Sequence, residues 1–196
     1  MKCIFIYNPN SGKGKLLKKI NYIEEVLKTK YDEVEMYPTK SREDTINIAY
    51  EACSKYDEII FSGGDGTFND VINSVARSEV RPILGYIPSG TVCDIAKNLK
   101  IPRNLKKALK VILEGEYEYH DVGMVNDKYF VYVVGAGTFT KVSYMTKQRM
   151  KRVLGKVAYV VDGVHELVHP TLIDGKLIVD EKEIEFKKSP LVLVLN

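Results

Sequence analysis

A glycine-rich segment around one carboxylate is the part of this sequence best suited to chemistry: Gly63-Gly64-Asp65-Gly66-Thr67. It follows the apolar run Ile59-Ile60-Phe61, which is typical of a buried strand, and it precedes a helical pattern. Glycines leave the backbone without Cβ atoms, so its N–H groups can approach a ligand closely. A helix beginning at Thr67, with Asp70 at capping-box spacing, would add the positive end of its dipole. The junction therefore predicts a site for the phosphate of a nucleotide.

The carboxylate in this segment needs its own explanation, because it would repel a phosphate unless a cation or hydrogen bonds lay between them. We interpret Asp65 as orienting Mg²⁺ or its water shell, or as holding the N–H groups of its own loop. A turn built only for folding remains the alternative. The segment Pro88-Ser89-Gly90-Thr91-Val92-Cys93-Asp94 follows the next apolar run in the same way. It is either a second part of the site or a turn with a helix cap.

Three other patterns approach known motifs without meeting their requirements. Residues 8–15, Asn-Pro-Asn-Ser-Gly-Lys-Gly-Lys, lack the first glycine and the Ser or Thr of a P-loop. They predict a polar turn that could offer amides to a phosphate, or a plain turn. Gly135-Ala136-Gly137 has Thr140 where a dinucleotide-binding fingerprint needs its third glycine. His165-Glu166-Leu167-Val168-His169 matches a zinc motif, but Pro170 ends any helix at once, so we interpret it as an incidental helix end.

Composition limits the class of protein. The chain has 196 residues, 45% of them hydrophobic, and 29 basic against 26 acidic residues give a net charge of +3. This is an ordinary globular composition, too weakly basic to indicate nucleic acid as a partner. Three scattered cysteines without metal-ligand spacing are typical of reduced thiols in the cytoplasm. No signal peptide or transmembrane run is expected, so any contact with lipid would be peripheral.

The order of predicted elements up to about residue 115 is β-α-β-α-β-α-β. Strands are expected over residues 3–7, 34–37, 59–61 and 83–87, with helices over 16–27, from Ser41 with Asp44, and over 67–76. This alternation predicts a parallel sheet with helices on both faces. Ligands of such sheets bind at the carboxyl ends of the strands, where the loops after Tyr7 and Phe61 lie.

The pattern changes after residue 115. Residues 116–122 and 127–134 are rich in Tyr and Val, as in antiparallel strands, 144–169 look helical, and 172–195 predict short strands with a turn at Asp174-Gly175. We predict an α/β fold with a nucleotide-binding domain over residues 1–120, followed by the start of a mainly β, sandwich-like domain over 121–196. A strand as apolar as residues 191–195 is expected to have a neighbouring strand on each side, so we expect this domain to be incomplete. Its open edge would allow two copies to pair as a homodimer.

These motifs together resemble the diacylglycerol kinase catalytic-domain family of soluble bacterial lipid kinases, related to sphingosine kinases and more distantly to NAD kinases. The resemblance rests on residues 7–13, Thr39, 63–70, 87–94, 121–123 and 137–144, in the family's order. It implies a two-domain fold with ATP between the domains, and transfer of the γ-phosphate to a lipid hydroxyl, such as that of diacylglycerol, with Mg²⁺.

The resemblance also implies roles for individual residues. Carried over to this sequence, the nucleotide-binding residues are Asn8, Pro9, Asn10, Ser11, Gly12, Thr39, Gly64, Asp65, Gly66, Thr67, Phe68, Asn69, Asp70 and Thr91. Two catalytic residues are implied: Asp65, serving the phosphate–magnesium network, and Asp94, helping to hold substrate or catalytic water. No separate set of protein ligands for a metal is predicted.

Three positions depart from the family pattern. Asp70 stands where Glu is common, Cys93 where Asn is usual, and Lys97 where Arg is usual, which removes a guanidinium fork. The family's Asp-Gly-Glu segment, which supplies the general base, lies downstream of Asn196. We therefore expect a truncated kinase that binds nucleotide weakly and is catalytically poor.

The resulting hypothesis is a cytoplasmic lipid kinase, peripheral to the membrane, that uses ATP and Mg²⁺. One alternative is a kinase of a soluble acceptor such as NAD, which shares the Gly-Gly-Asp-Gly loop. Another is a nucleotide-binding module without catalytic activity.

Overall fold

The computed structural model describes residues 1–10, 16–138, 170–179 and 181–196. Strands and helices alternate regularly through the first part of the chain. Their bounds are β1 Lys2–Tyr7, α1 Ile20–Leu27, β2 Glu33–Pro38, α2 Arg42–Ala52, β3 Glu58–Gly63, α3 Asp65–Val75, β4 Ile83–Pro88, α4 Asp94–Asn98 and α5 Leu105–Glu114. A 3₁₀ turn, Leu17–Lys19, precedes α1. Short strands follow: β5 Gly123–Val125, β6 Lys128–Phe130, β7 Val133–Gly137, β8 Ile173–Val179, β9 Lys182–Ser189 and β10 Leu191–Leu195.

The first four strands form one parallel sheet in the order β2-β1-β3-β4. The central strands β1 and β3 are apolar along most of their length because helices cover both of their faces. Their register places Ile4 beside Ile59 and Phe5 beside Ile60. From β1 the chain steps to β2 on one side and later to β3 on the other. This reversal is the point at which open α/β sheets bind ligands, at the carboxyl ends of the strands.

Two apolar cores fill the space between the sheet and its helices. On one face Ile4 and Phe61 pack with residues of α2, α3 and α4, such as Val71. On the other face Phe5 and Ile60 pack with residues of α1 and α5. The predicted α/β fold with helices on both faces is therefore confirmed.

The helix starts show one success and one error of prediction. Ser41 caps α2 as expected, since its Oγ accepts a hydrogen bond from Asp44 N at 3.0 Å. The predicted start of α3 at Thr67 is wrong, because the helix begins at Asp65 with Gly64 as N-cap and no side-chain cap. Thr67 instead folds back over Gly63, where an added Cβ would lie 2.3 Å from the Thr67 Cβ. This local contact, between residues four positions apart, takes the place of the predicted capping box.

A carboxylate is buried at the opposite end of the sheet, at the start of β3. Glu58 is 2% exposed and accepts hydrogen bonds from the Tyr31 hydroxyl at 2.6 Å and from Lys30 Nζ at 3.3 Å. Among the described residues, no buried side-chain nitrogen or oxygen is left without a partner. Burial, and next the bond to Glu58, raise the pKa of Tyr31. The network is a satisfied structural one.

The segment after α5 departs from the prediction. Residues 116–122 do not form the expected strand, and Tyr117 and Tyr119 are exposed there. Strands β5 and β6 pair as a small hairpin. Asn73 of α3 holds this hairpin by donating to the Tyr129 carbonyl at 2.8 Å and accepting from the Tyr129 N–H at 2.9 Å.

The described residues divide into two compact units, Met1–Tyr132 with Asn196 and Val133–Leu195. The domain boundary after residue 120 stays a prediction. In the second unit β7 pairs with β10 and β8 with β9, all antiparallel, as expected for a β-rich segment.

Several predictions concern details of the second unit. The turn predicted at Asp174-Gly175 is wrong, because both residues lie within β8, where the register shifts. The Leu side chains at 191, 193 and 195 are exposed. Two predictions fall outside the described residues: the helix over 144–169 with its His-Glu-x-x-His pattern, and the position of Thr140. The part of the chain that is described contains no helix long and apolar enough to span a membrane.

Candidate functional site

The loops after β1, β2 and β3 meet at one edge of the sheet and enclose a pocket of about 120 Å³. The polar part of its lining includes Asn8, Thr39, Arg42, Ser62, Thr67 and Asp70. Each comes from the end of a strand or from the first turns of the helix that follows it. The convergence predicted for the carboxyl ends of the first and third strands is therefore present.

The loop after β4 joins this edge through Gly63. The Gly63 carbonyl accepts hydrogen bonds from the N–H groups of Ser89 at 2.9 Å and Gly90 at 3.2 Å, and from the Tyr86 hydroxyl at 3.0 Å. A Cβ added to Gly90 would lie 2.5 Å from the Gly64 Cα. Glycines are therefore required where these two backbones pass each other. The N–H groups of Ser89 and Gly90 serve this internal contact, so they are not available to a ligand.

The first turn of α3 is different. Its N-terminal N–H groups, those of Asp65, Gly66 and Thr67, precede the first intrahelical bond, which Phe68 N donates to the Gly64 carbonyl at 3.0 Å. No side chain caps them, and within the described ranges they have no hydrogen-bond partner. Gly66 is exposed, with open space where a Cβ would be. An eleven-residue helix thus presents bare N–H groups and its positive dipole end at the sheet edge.

Asp65 connects α3 to the start of α4. Its Oδ1 accepts a hydrogen bond from Ile95 N at 3.0 Å, so it caps the neighbouring helix and not its own loop. The residue at the N-cap position of α4, Cys93, forms no side-chain cap and has left-handed backbone angles of φ 55° and ψ 55°. The carboxylate of Asp65 is therefore held in a fixed position at the edge that carries the α3 N-terminus.

Asp70 and Arg42 form an ion pair in the pocket wall. Arg42 Nε donates to Asp70 Oδ2 at 2.8 Å and Arg42 Nη2 to Oδ1 at 2.6 Å. The Asp70 side chain is 9% exposed, whereas that of Arg42 is 76% exposed. This two-point geometry is the strong form of an arginine–carboxylate contact.

The residues predicted in the first two loops lie at the same edge. Asn8 lines the pocket, and its Oδ1 accepts from Asn10 N at 2.8 Å in a local turn that also contains Pro9. Buried Thr39 joins β2 to β1 by donating from its N–H to the Tyr7 carbonyl at 2.8 Å. Ser11 and Gly12 lie outside the described residues.

Four predicted residues have other positions. Phe68, predicted to contact the nucleotide, is instead a core residue, 6% exposed and packed edge-on against Phe61 and Tyr86. Asn69 and Thr91 are exposed. Asp94 is half-exposed and pairs with Lys97 Nζ at 2.8 Å, outside the lining of the pocket. This bond raises the pKa of Lys97.

Two arginines at this edge were missed by sequence reasoning. Arg42 has only the Ser41 cap as a local signal, because its partner Asp70 is 28 residues away. Arg103 donates from Nη2 to the carbonyls of Gly90 at 2.8 Å and Thr91 at 3.2 Å. One guanidinium nitrogen of Arg103 therefore supports the β4–α4 loop through two carbonyls.

The arrangement suits part of a nucleotide. A pocket of about 120 Å³ is well below the roughly 300–1,000 Å³ of sites that enclose a whole ligand, so it fits a phosphate group only. Among the described residues no cluster of three or more His, Cys, Asp or Glu side chains could hold a metal ion. Mg²⁺ carried by a nucleotide needs only one or two carboxylates. Asp65, the predicted one, lies at the N-terminus of α3 but does not line the pocket.

Comparison with known proteins places this geometry in a family context. Residues 2–125 match the family described as diacylglycerol kinase catalytic domain. A diacylglycerol kinase of Staphylococcus saprophyticus is 35% identical over 178 residues, which are 90% of this chain and 58% of that protein. One from Staphylococcus aureus is 35% identical over 176 residues, covering 89% of this chain and 56% of its own length.

Solved structures give the same result. The crystal structure of a diacylglycerol kinase from Bacillus anthracis has a TM-score of 0.78 at 29% identity, covering 100% of this chain and 64% of that one. A second structure from this organism has a TM-score of 0.84 at 31% identity, with the same coverage. The chain thus spans between about half and two thirds of the length of these relatives.

Proposed function

Because the chain belongs to the diacylglycerol kinase catalytic-domain family, we propose that it forms the nucleotide-binding part of an ATP-dependent lipid kinase. The γ-phosphate of ATP is transferred to a lipid hydroxyl, with diacylglycerol the first choice of acceptor. The observation that carries this proposal is the N-terminus of α3, whose N–H groups lack a described partner beside the pocket. Bare N–H groups at the positive end of a helix dipole favour a phosphate.

The dimensions of the pocket define which part of ATP it takes. About 120 Å³ holds a phosphate group, so the phosphate chain enters here while the base and ribose lie outside the pocket. Gly66 leaves the backbone open to close approach. Asn8 and Thr39 line the pocket, at the ends of β1 and β2.

Phosphoryl transfer depends on positioning and charge neutralisation more than on covalent chemistry of the protein. Mg²⁺ bound with ATP would supply positive charge to the phosphates. Asp65, fixed by its bond to Ile95 N, would orient the water shell of this ion. Asp94, half-exposed at the start of α4, would help to hold the substrate or a catalytic water, as the family resemblance implies. A lipid acceptor also implies a peripheral contact with a membrane, on its cytoplasmic side.

A labelling assay tests the proposal. The protein as its organism makes it is incubated with Mg²⁺ and ATP carrying radioactive γ-phosphate, together with diacylglycerol in mixed micelles and with NAD. We expect label in the lipid fraction, and loss of label in Asp65→Asn. Label in aqueous NADP and none in lipid would overturn the choice of acceptor. Saturable binding of Mg·ATP without turnover would instead favour a non-catalytic module.

A further inference from the structure

One wall of the pocket carries a negative charge that a phosphate site should avoid. Asp70 lies on the same face of α3 as Thr67, three residues further along the helix, and both line the pocket. With its side chain only 9% exposed, Asp70 is poorly screened by water. A phosphate bound at the N-terminus of α3 would therefore meet a like charge about one helical turn away.

Arg42, which also lines the pocket, compensates the charge of Asp70. It is the first residue of α2, and its guanidinium engages both carboxylate oxygens of Asp70, at 2.8 and 2.6 Å. The start of α2 is itself fixed, since Asp44 N donates to Ser41 Oγ at 3.0 Å and Lys40 N donates to Asp44 Oδ2 at 2.7 Å. Arg42 therefore extends toward Asp70 from a rigid base.

We propose that Arg42 is a positioning residue of the phosphate site. By holding both oxygens of Asp70, it cancels the charge of this carboxylate and makes the pocket compatible with an anion. Asp70 then acts as the anchor of Arg42, joining α2 to α3, and does not bind the nucleotide or its metal. This inference rests on the proposed function and goes beyond it, because it gives the two residues opposite effects on phosphate binding.

Calorimetric titration with two probes, Mg·ATP and metal-free tripolyphosphate, tests the inference on the full chain. Arg42→Met should weaken binding of both probes by about tenfold or more, as expected when a buried charge loses its partner. Arg42→Lys, which keeps the charge without the fork, should recover part of this loss. Asp70→Asn should bind both probes more tightly than the wild type. The double variant Arg42→Met/Asp70→Asn should return toward wild-type affinity.

Arg77→Met is the matched control. It also removes one arginine, at a position that follows the C-terminal end of α3, where Arg77 Nε donates to the Asn73 carbonyl. It should bind both probes like the wild type.

Each outcome leads to a decision. The inference is overturned if Arg42→Met binds the probes with wild-type affinity, or if Asp70→Asn binds them more weakly than the wild type. In either case the proposed function still stands, because the wild type binds the probes. A wild-type chain that binds neither probe overturns the proposed function, and the inference with it. Urea titration shows whether Arg42→Met folds. If it does not fold, the inference is tested by whether Asp70→Asn binds the probes more tightly or more weakly than the wild type.

Discussion

Cys93 has a backbone conformation that suits few side chains. Its angles of φ 55° and ψ 55° lie in the left-handed region, and it occupies the N-cap position of α4 without capping it. Glycine adopts this region without steric cost, whereas a residue with a Cβ is destabilised there by about 1–2 kcal/mol. The left-handed conformation of Cys93 therefore has a physical cost.

Substitution of Cys93 should reveal this cost. We expect Cys93→Gly to exceed Cys93→Ala in free energy of unfolding by about 1 kcal/mol, because glycine adopts left-handed angles without steric cost. Urea denaturation of the two variants measures the difference. Equal stabilities would show that the left-handed conformation carries no such cost at this position.

Asp65 has a structural hydrogen bond from Ile95 N and a proposed role toward Mg²⁺. Two substitutions distinguish these two roles. Asp65→Ala removes the acceptor for Ile95 N and should cost about 1 kcal/mol of unfolding free energy, as loss of a helix cap does. Asp65→Asn keeps an acceptor oxygen and should stay within about 0.5 kcal/mol of wild type. Both should weaken Mg·ATP binding, because both lose the carboxylate charge. Wild-type affinity in Asp65→Asn would contradict a role toward Mg²⁺.

At the scale of elements, the start of α3 and the loop after β4 depend on glycines for different reasons. A Cβ at Gly90 would lie 2.5 Å from the Gly64 Cα, whereas a Cβ at Gly66 would meet nothing within 4 Å. Gly90 therefore serves the packing of two loops. Gly66 has no such packing contact, as expected if it keeps the N-terminus of α3 open to a ligand.

Alanine at these two glycines should have opposite effects on stability. Gly90→Ala should destabilise the fold, since the added Cβ would meet the Gly64 backbone, which cannot move aside locally. Gly66→Ala should stabilise it by up to about 1 kcal/mol, because alanine is the better helix former. Both should weaken Mg·ATP binding, measured by calorimetry beside thermal unfolding. Unchanged affinity in Gly66→Ala would mean that no phosphate approaches this turn.

At the scale of the whole molecule, buried phenols and thiols set the response to alkaline pH. Burial raises the pKa of Tyr31 and of Tyr86, and it raises the pKa of the Cys3 thiol to about 12. Groups with a raised pKa in the folded state bind more protons there than in the unfolded state. Their stabilising contribution is complete below the unfolded pKa, near 9 for Cys and 10 for Tyr, and is lost as pH rises through the folded values.

The free energy of unfolding should therefore fall as pH rises above about 9. In Tyr86→Phe this decrease should be less steep above about pH 10. Urea denaturation across pH 8–12 measures the slope. Tyr119, which is 94% exposed, provides the control, since Tyr119→Phe should leave the slope unchanged. A slope unaffected by Tyr86→Phe would contradict this account of Tyr86.

The sheet and its functional edge could be predicted from sequence because their signals are local. Continuous apolar runs mark β1 and β3, and the polar turns after them mark the edge. The start of α3 was predicted two residues too late, because the Thr67 side chain packs against Gly63 and does not cap the helix. Strand propensity in residues 116–122 was misleading, because no partner strand pairs with this segment among the described residues.

The candidate site was predictable only in part. The Gly63–Thr67 segment identified the helix N-terminus from its own composition. The Arg42–Asp70 pair joins residues 28 positions apart, and no local sequence pattern predicts it. Phe68 was assigned to the nucleotide by family resemblance, but its neighbours Phe61 and Tyr86 lie on other elements of the fold.

The central claim is that the phosphates of ATP bind at the N-terminus of α3. Backbone amide NMR during titration with Mg·ATP tests it most directly, because each N–H group reports its own environment. We expect saturable chemical-shift changes that are largest at the amides of Asp65, Gly66 and Thr67, with smaller ones at Asn8 and Thr39. Largest shifts elsewhere in the chain, with these three amides unmoved at saturation, would contradict it.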